Sequence, residues 1–106
     1  MLNLKNKYLS YLHILVAVIV AMDTFYLIYL SISNGVQDAA YLTGGLVGKL
    51  CLIVIHYMCS REVQHGSTIG RIASIFFTLF VLAAFPIGTV IGIFMLFFSI
   101  FKWEQN

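Results

Sequence analysis

Long apolar runs with few charges between them are the feature that most constrains this chain. Residues 72–101, for example, contain no charged side chain. Only 9% of the chain is charged and 61% is hydrophobic, whereas soluble domains carry about 25% charged residues. A chain with so few charged residues is better suited to an apolar solvent than to water. We therefore predict a single transmembrane domain over residues 1–106, with the lipid bilayer as its main partner.

The apolar runs divide into four predicted spans. A bilayer core about 30 Å thick requires about 20 apolar residues per helix, which places the spans at residues 8–32, 39–59, 67–85 and 87–101. We expect Asn34-Gly35 to end the first helix, Ser67 to cap the third, and Pro86 to end the third and turn the chain. The predicted fold class is all-α, an integral membrane four-helix bundle made of two antiparallel hairpins.

The last hairpin is short for two complete spans, which would require about 40 residues. The alternative is one long tilted helix with Pro86 near its middle. That alternative places Lys102 on the opposite side of the membrane from the other terminal cations, against the positive-inside rule. We therefore favour two short helices joined by a tight turn at Phe85-Pro86.

The cationic residues predict the orientation. With four spans, five of the six fall on one side of the membrane: Lys5, Lys7, Arg61, Arg71 and Lys102. The loop at 33–38 and the Pro86 turn carry none, so both termini are expected in the cytoplasm of a multi-pass inner-membrane protein. Residues 19–21 lack a signal-peptide cleavage pattern, so we expect the first helix to be retained. The net charge of +2 is too small and scattered for nucleic acid.

Two charged residues fall inside predicted spans, Asp23 in the first helix and Lys49 in the second, at similar depth. An isolated charge at the bilayer centre costs at least about 2.5–3.5 kcal/mol, so we expect the two side chains to form an ion pair. The pair has three interpretations: a structural contact that sets the register of two helices, part of a transport path, or a contact with a partner subunit.

Small residues recur at helical spacing in the second half of the chain. The three pairs with glycine four residues apart are Gly44/Gly48, Gly66/Gly70 and Gly88/Gly92. Such pairs allow helix backbones to approach closely in a membrane. We predict helix packing or self-association at these glycines.

No residue pattern predicts chemistry. His13, His56 and Cys59 lie near the cytoplasmic ends of the first two helices, but their spacing matches no ligand signature, and we interpret the histidines as interfacial anchors. No serine or threonine is arranged with a histidine and an acid as nucleophilic catalysis requires. We expect no enzyme activity, no metal and no cofactor.

The C-terminal third contains a recognisable pattern. Gly70-Arg71-Ile72-Ala73 opens an apolar helix, and residues 85–94 read F-P-I-G-T-V-I-G-I-F. This part resembles a group of small, largely uncharacterised bacterial four-span membrane proteins in which an F-P-x-G-T-x-x-G-I turn precedes the last helix. The resemblance covers about the last 40 residues; it implies the four-span topology and supplies no function.

These observations lead to two functional expectations. The first is a non-enzymatic membrane protein that acts through helix–helix association, either with itself or as an accessory, modulator or immunity-type partner of another membrane protein. The alternative is a small transporter or channel in which Asp23 and Lys49 line the path.

Overall fold

A computed structural model describes residues 5–35, 38–84 and 86–105, which form four α-helices and no strand. The helices are α1 (Lys7–Asn34), α2 (Ala39–Gln64), α3 (Thr68–Leu82) and α4 (Ile87–Ile100). The predicted all-α class with four helices is thus confirmed for this part of the chain. Phe85 of the expected turn and residues 36 and 37 of the expected loop lie outside the described residues.

Local side chains explain where the helices begin and end. Gly35 follows α1 with φ of 80°, a conformation that glycine adopts without steric cost. The Asp38 carboxylate accepts a hydrogen bond from the Tyr41 backbone N–H at the start of α2. Ser67 accepts one from the Gly70 N–H at the start of α3, as expected from the sequence.

The second helix is longer than the predicted span. It continues past Cys59 to Gln64, so the first half of the polar stretch at 60–66 is helical rather than a loop. The cause is packing, because Ser60 and Gln64 both form hydrogen bonds with Ser10 of α1. Polarity alone does not break a helix when the polar side chains find partners.

The two hairpins differ in length. At 1.5 Å per residue, α1 and α2 are about 42 and 39 Å long, whereas α3 and α4 are only about 22 and 21 Å. Within the described residues, α1 and α2 are the two helices long and apolar enough to cross a membrane, judged by length and composition alone. The helices form a ring in which α1 contacts α2 and α4, and α3 contacts the same two neighbours.

The short hairpin covers only half of the long one. Its tip lies beside the middle of α1, because Ile87 and Gly88 line the same cavity as Val16 and Val20. Burial follows this arrangement: the buried residues of α2 all lie between His56 and its C-terminal end. The halves of α1 and α2 nearer to the 33–38 loop therefore form a two-helix hairpin without further cover.

Polarity is inverted relative to a soluble protein. Exposed apolar side chains occur along all four helices, including Phe25, Ile32, Ile69 and Phe101, each more than 70% exposed. The buried residues of the described part include nine polar ones: Asn6, Ser10, His13, Thr24, His56, Ser60, Ser74, Thr78 and Ser99. A soluble core is instead dominated by apolar side chains.

Candidate functional site

A chain of buried polar side chains crosses the centre of the bundle. Its members come from all four helices: His13 from α1, His56 from α2, Ser74 from α3 and Ser99 from α4. Each of these side chains is at most 2% exposed. His13 of α1 contacts His56 of α2 and Ser74 of α3. Because α1 and α3 lie diagonally across the ring, this side chain links the two hairpins through the centre of the bundle.

The two histidines face each other through the same ring nitrogen. Nδ1 of His13 lies 2.9 Å from Nδ1 of His56. On its other side, Nε2 of His13 lies 2.8 Å from the Ser74 hydroxyl, which lies 3.3 Å from the Ser99 hydroxyl. The result is a continuous sequence of hydrogen-bonding groups from α2 to α4.

The direction of these hydrogen bonds follows from counting protons. Ser99 donates its proton to the Met95 carbonyl at 2.7 Å. When the other three contacts are all counted as hydrogen bonds, Ser74 donates to Ser99 and accepts from Nε2–H of His13. A neutral His13 then has no proton on Nδ1, and His56 carries its proton on Nδ1 and donates to His13. This assignment gives every contact in the chain one donor.

A second polar cluster joins α1 and α2 closer to the chain termini. The Ser10 and Ser60 hydroxyls are 2.6 Å apart, and the Gln64 side-chain amide donates to Ser10 at 2.6 Å. Interhelical hydrogen bonds of this type hold helices together where no hydrophobic force does so.

Side chains also join the helix ends at the same face of the molecule. Asn6 donates to the backbone carbonyls of Val63 and Glu104, both at 2.9 Å, and accepts from the Glu104 N–H. Arg71 donates to the Ser99 carbonyl at 2.9 Å, where its charge complements the negative end of the α4 dipole. These contacts bring the two chain ends and the α2–α3 turn together.

The structure brings Asp23 and Lys49 together. The Lys49 Nζ donates to the Asp23 carboxylate, as expected for two antiparallel helices. The pair is not enclosed, because the Asp23 side chain is 57% exposed and that of Lys49 is 29% exposed. It lies in the half of the long hairpin that α3 and α4 leave uncovered.

The predicted packing glycines differ in what surrounds them. A Cβ at Gly70 would lie 2.9 Å from the Glu62 carbonyl oxygen, and one at Gly92 would lie 2.6 Å from Leu82. By contrast, among residues 5–35, 38–84 and 86–105, a Cβ at Gly44 or Gly48 would have no atom within 4 Å outside its own helical turn. Gly70 and Gly92 therefore pack within the chain, whereas Gly44 and Gly48 face outward.

Gly66, the partner of Gly70 in the predicted Gly66/Gly70 pair, has a different role. Gly66 lies before α3, in the turn, with φ of 68°. Its spacing from Gly70 consequently does not describe one face of a helix, which is a difference from the sequence expectation. The conformation it adopts is one that favours glycine over other residues.

The turn between α3 and α4 has its own internal contacts. A Cβ on Gly88 would collide with the Val81 carbonyl oxygen and Ala84. The Thr89 hydroxyl donates to the Leu82 carbonyl at 2.7 Å, which satisfies a backbone acceptor left free where α3 ends before Pro86. These contacts give the P-x-G-T part of the sequence pattern a physical role.

This arrangement packs the helices through polar side chains. The Ser74 hydroxyl is fully buried and contacts both His13 and Ser99. Among residues 5–35, 38–84 and 86–105, no group of three or more His, Cys, Asp or Glu side chains could hold a metal ion. The sequence suggests that His13 and His56 are interfacial anchors. The structure corrects this interpretation, because both residues are buried in the bundle.

Sequence reasoning missed the polar chain as a unit, although a signal for it existed. Ser10 and His13 are three residues apart, and His56 and Ser60 are four apart, so each pair lies on one helix face. Small polar side chains at helical spacing inside apolar spans indicate an interhelical contact. No protein-family model, curated protein or solved structure matches this chain.

Proposed function

We propose that this chain is a multi-pass inner-membrane protein with both termini in the cytoplasm, and that it acts without catalysis, through helix–helix association. Its partner is a second copy of itself or another membrane protein. The α1–α2 hairpin spans the membrane, and the α3–α4 hairpin enters and leaves from the cytoplasmic side. Both hairpins return the chain to the side from which it came, so the termini share one side.

The inverted polarity supports membrane embedding. Large contiguous apolar surface is rarely left exposed to water by monomeric soluble proteins, whereas it is the expected surface toward lipid. The buried polar residues also agree with this environment, because interhelical hydrogen bonds and close packing replace the hydrophobic effect in a bilayer. The positive charges at the joined chain ends complete the pattern expected of a cytoplasmic face.

The uncovered Asp23–Lys49 pair is the observation that carries the association proposal. Charged side chains inside membranes almost always face the interior of a bundle or a water-filled cavity. Here the pair lies inside the span but outside the cover of α3 and α4, so in a monomer it would face lipid. A second protein over this surface removes the charges from lipid.

The small residues of α2 support association through the same surface. Gly44 and Gly48 face no atom of the described residues at a Cβ position, and they precede Lys49 by five residues and by one residue. An open small-xxx-small face allows another helix to approach the backbone closely. In a two-fold symmetric pair, Asp23 of each copy can also approach Lys49 of the other, because the same surface of both copies forms the interface.

Single-molecule photobleaching in lipid vesicles at high dilution tests this proposal. We expect wild type to show two or more copies per complex, and Gly48→Leu to show single copies because the side chain blocks helix approach. Ala83→Leu, an exposed small-to-large change in the other hairpin, is the matched control and should behave as wild type. Single copies of wild type in vesicles would contradict self-association. If the chain extracted from cells in lipid particles also carried no other membrane protein, association with a different partner would be contradicted as well.

The conduit alternative is less well supported by the geometry. Neither Asp23 nor Lys49 lines the cavity between the two hairpins, and their lateral exposure is unlike a path enclosed by protein. If Asp23→Asn abolished ion or proton flux in proteoliposomes while the oligomer persisted, the conduit would replace association as the proposed function.

A further inference from the structure

An apolar cavity of about 250 Å³ lies between the two hairpins. It is bounded by all four helices, through residues that include Val20, Leu52, Val81 and Ile91, with His56 at its edge. His56 is the one polar residue of its lining among the described residues. An apolar cavity of about 150 Å³ already suffices to bind benzene, so this one has room for a small ligand.

One nitrogen of His56 is not used by the polar chain. Its Nδ1 contacts His13, while its Nε2 has no hydrogen-bond partner among residues 5–35, 38–84 and 86–105. Within that part of the chain, every fully enclosed side-chain nitrogen or oxygen has a partner, so Nε2 retains some accessible surface. His56 lines this cavity and the residue is only 2% exposed, which assigns that accessible surface to the cavity.

The proton count in the polar chain determines what Nε2 can bind. In the assignment that makes every contact of the polar chain a hydrogen bond, His56 carries its proton on Nδ1 and donates to His13, so Nε2 presents a lone pair. A lone acceptor in apolar surroundings is costly unless a donor meets it. The complementary ligand is consequently a hydrogen-bond donor with an apolar body.

The lining also excludes a charged ligand. It contains no Lys, Arg, Asp or Glu among the described residues, and burying an unpaired charge there would carry a large desolvation cost. His56 is eight residues from the end of α2, about 12 Å along the helix axis. This depth does not suit a phospholipid headgroup, which remains at the membrane surface.

We propose that the cavity binds a neutral apolar molecule bearing one hydroxyl group, of the phenol or alkanol class. The hydroxyl donates to Nε2 of His56, and the apolar body lies between Val20 and Ile91. This inference goes beyond the association function and does not depend on it.

The test uses a matched pair of probes, 4-propylphenol and propylbenzene, which differ only by the hydroxyl group. The full-length protein, with ¹⁵N-labelled histidine, is titrated in lipid nanodiscs and followed by NMR. We expect the His56 Nε2 resonance to start at the position of an unprotonated nitrogen. With 4-propylphenol it should shift saturably toward a hydrogen-bonded value, and propylbenzene should give no such shift. The exposed His65 provides the internal reference.

Two variants test whether the probe binds in the cavity. Leu52→Trp fills the space next to His56 and should abolish the saturable shift. Leu50→Trp, on the same helix but outside the cavity lining, should retain it. The proposal is overturned if both probes act alike, if no saturable shift occurs, if Leu52→Trp binds as wild type, or if His56 carries its proton on Nε2.

Discussion

At the scale of single residues, the interior of this bundle is held by directed contacts. His13 uses both ring nitrogens, one toward α2 and one toward α3. A hydrogen bond has a preferred geometry, whereas apolar contact does not. The polar chain therefore selects one rotation of each helix about its axis. We infer that its main role is to specify this arrangement, more than to add stability.

Removing the Ser74 hydroxyl tests that role. Ser74→Ala leaves the His13 Nε2–H without an acceptor in the centre of the bundle. We expect a loss of about 1–2 kcal/mol in the free energy of unfolding, since an unsatisfied buried donor costs about this much. Steric trapping in bicelles measures the quantity. Ser31→Ala is the control, because Ser31 donates only within its own helix; equal effects of the two changes would contradict the bridging role.

The Asp23–Lys49 pair requires a double-mutant cycle. Removing one partner leaves the other charge unpaired, whereas removing both leaves a neutral contact. We expect Asp23→Asn and Lys49→Met each to lower the free energy of unfolding, and the double variant to recover part of the loss. Purely additive effects would show that the contact does not couple the two helices.

At the scale of helices, the α3–α4 turn shows why a short pattern specifies a tight hairpin. Pro86 cannot continue α3, Thr89 satisfies the Leu82 carbonyl, and Gly88 leaves room for the Val81 carbonyl. Each residue solves a different problem of turning the chain. In the membrane location that we propose, this matters more than in water, because unsatisfied backbone groups cost several kcal/mol in lipid.

Glycine-to-alanine changes distinguish the glycines that pack against the rest of the chain from those that face outward. At Gly88 the added methyl meets backbone, which cannot move aside, so we expect a loss of about 1–3 kcal/mol in the free energy of unfolding. At Gly44 it meets no neighbouring atom in the part of the chain that the structure describes, and the monomer should be unchanged or stabilised by up to about 1 kcal/mol. The comparison is made under conditions that keep the protein monomeric. A similar loss at both positions would contradict the assigned packing.

At the scale of the whole molecule, the contacts of Asn6 and Arg71 gather both termini and the α2–α3 turn at one face. Of the described helices, α1 and α2 reach the opposite face, because the second hairpin stops near the middle of the first. In the membrane orientation that we propose, the tip of α3–α4 lies within the bilayer rather than at its outer surface.

Cysteine labelling measures the depth of that tip. In a variant with Cys51→Ser and Cys59→Ala, single cysteines are placed at Ser33 and at Ala84. A membrane-impermeant maleimide added outside intact cells should label Ser33→Cys, because it borders the outer loop. It should leave Ala84→Cys unlabelled even after the cells are opened, because the turn is within the lipid. Labelling of Ala84→Cys from outside would indicate a hairpin that crosses completely.

Local signals in the sequence determined the number of helices and several of their ends. Gly35, Ser67 and Pro86 act on their own backbone neighbourhood, so their effect can be predicted without a partner. The apolar runs likewise predicted helices because periodicity and length are properties of a continuous segment. The antiparallel placement also allowed the Asp23–Lys49 contact to be expected from counting along two adjacent helices.

Only the tertiary structure decided which faces meet. Gly48 and Gly92 each follow another glycine by four residues, yet Gly48 is exposed and Gly92 packs against Leu82. His13 contacts Ser74 across the diagonal of the ring, a pairing that depends on how all four helices rotate together. Helix rotation and coverage are set by the sum of contacts between distant segments, which no single segment encodes, and for that reason the polar chain and its cavity emerge only in the assembled fold.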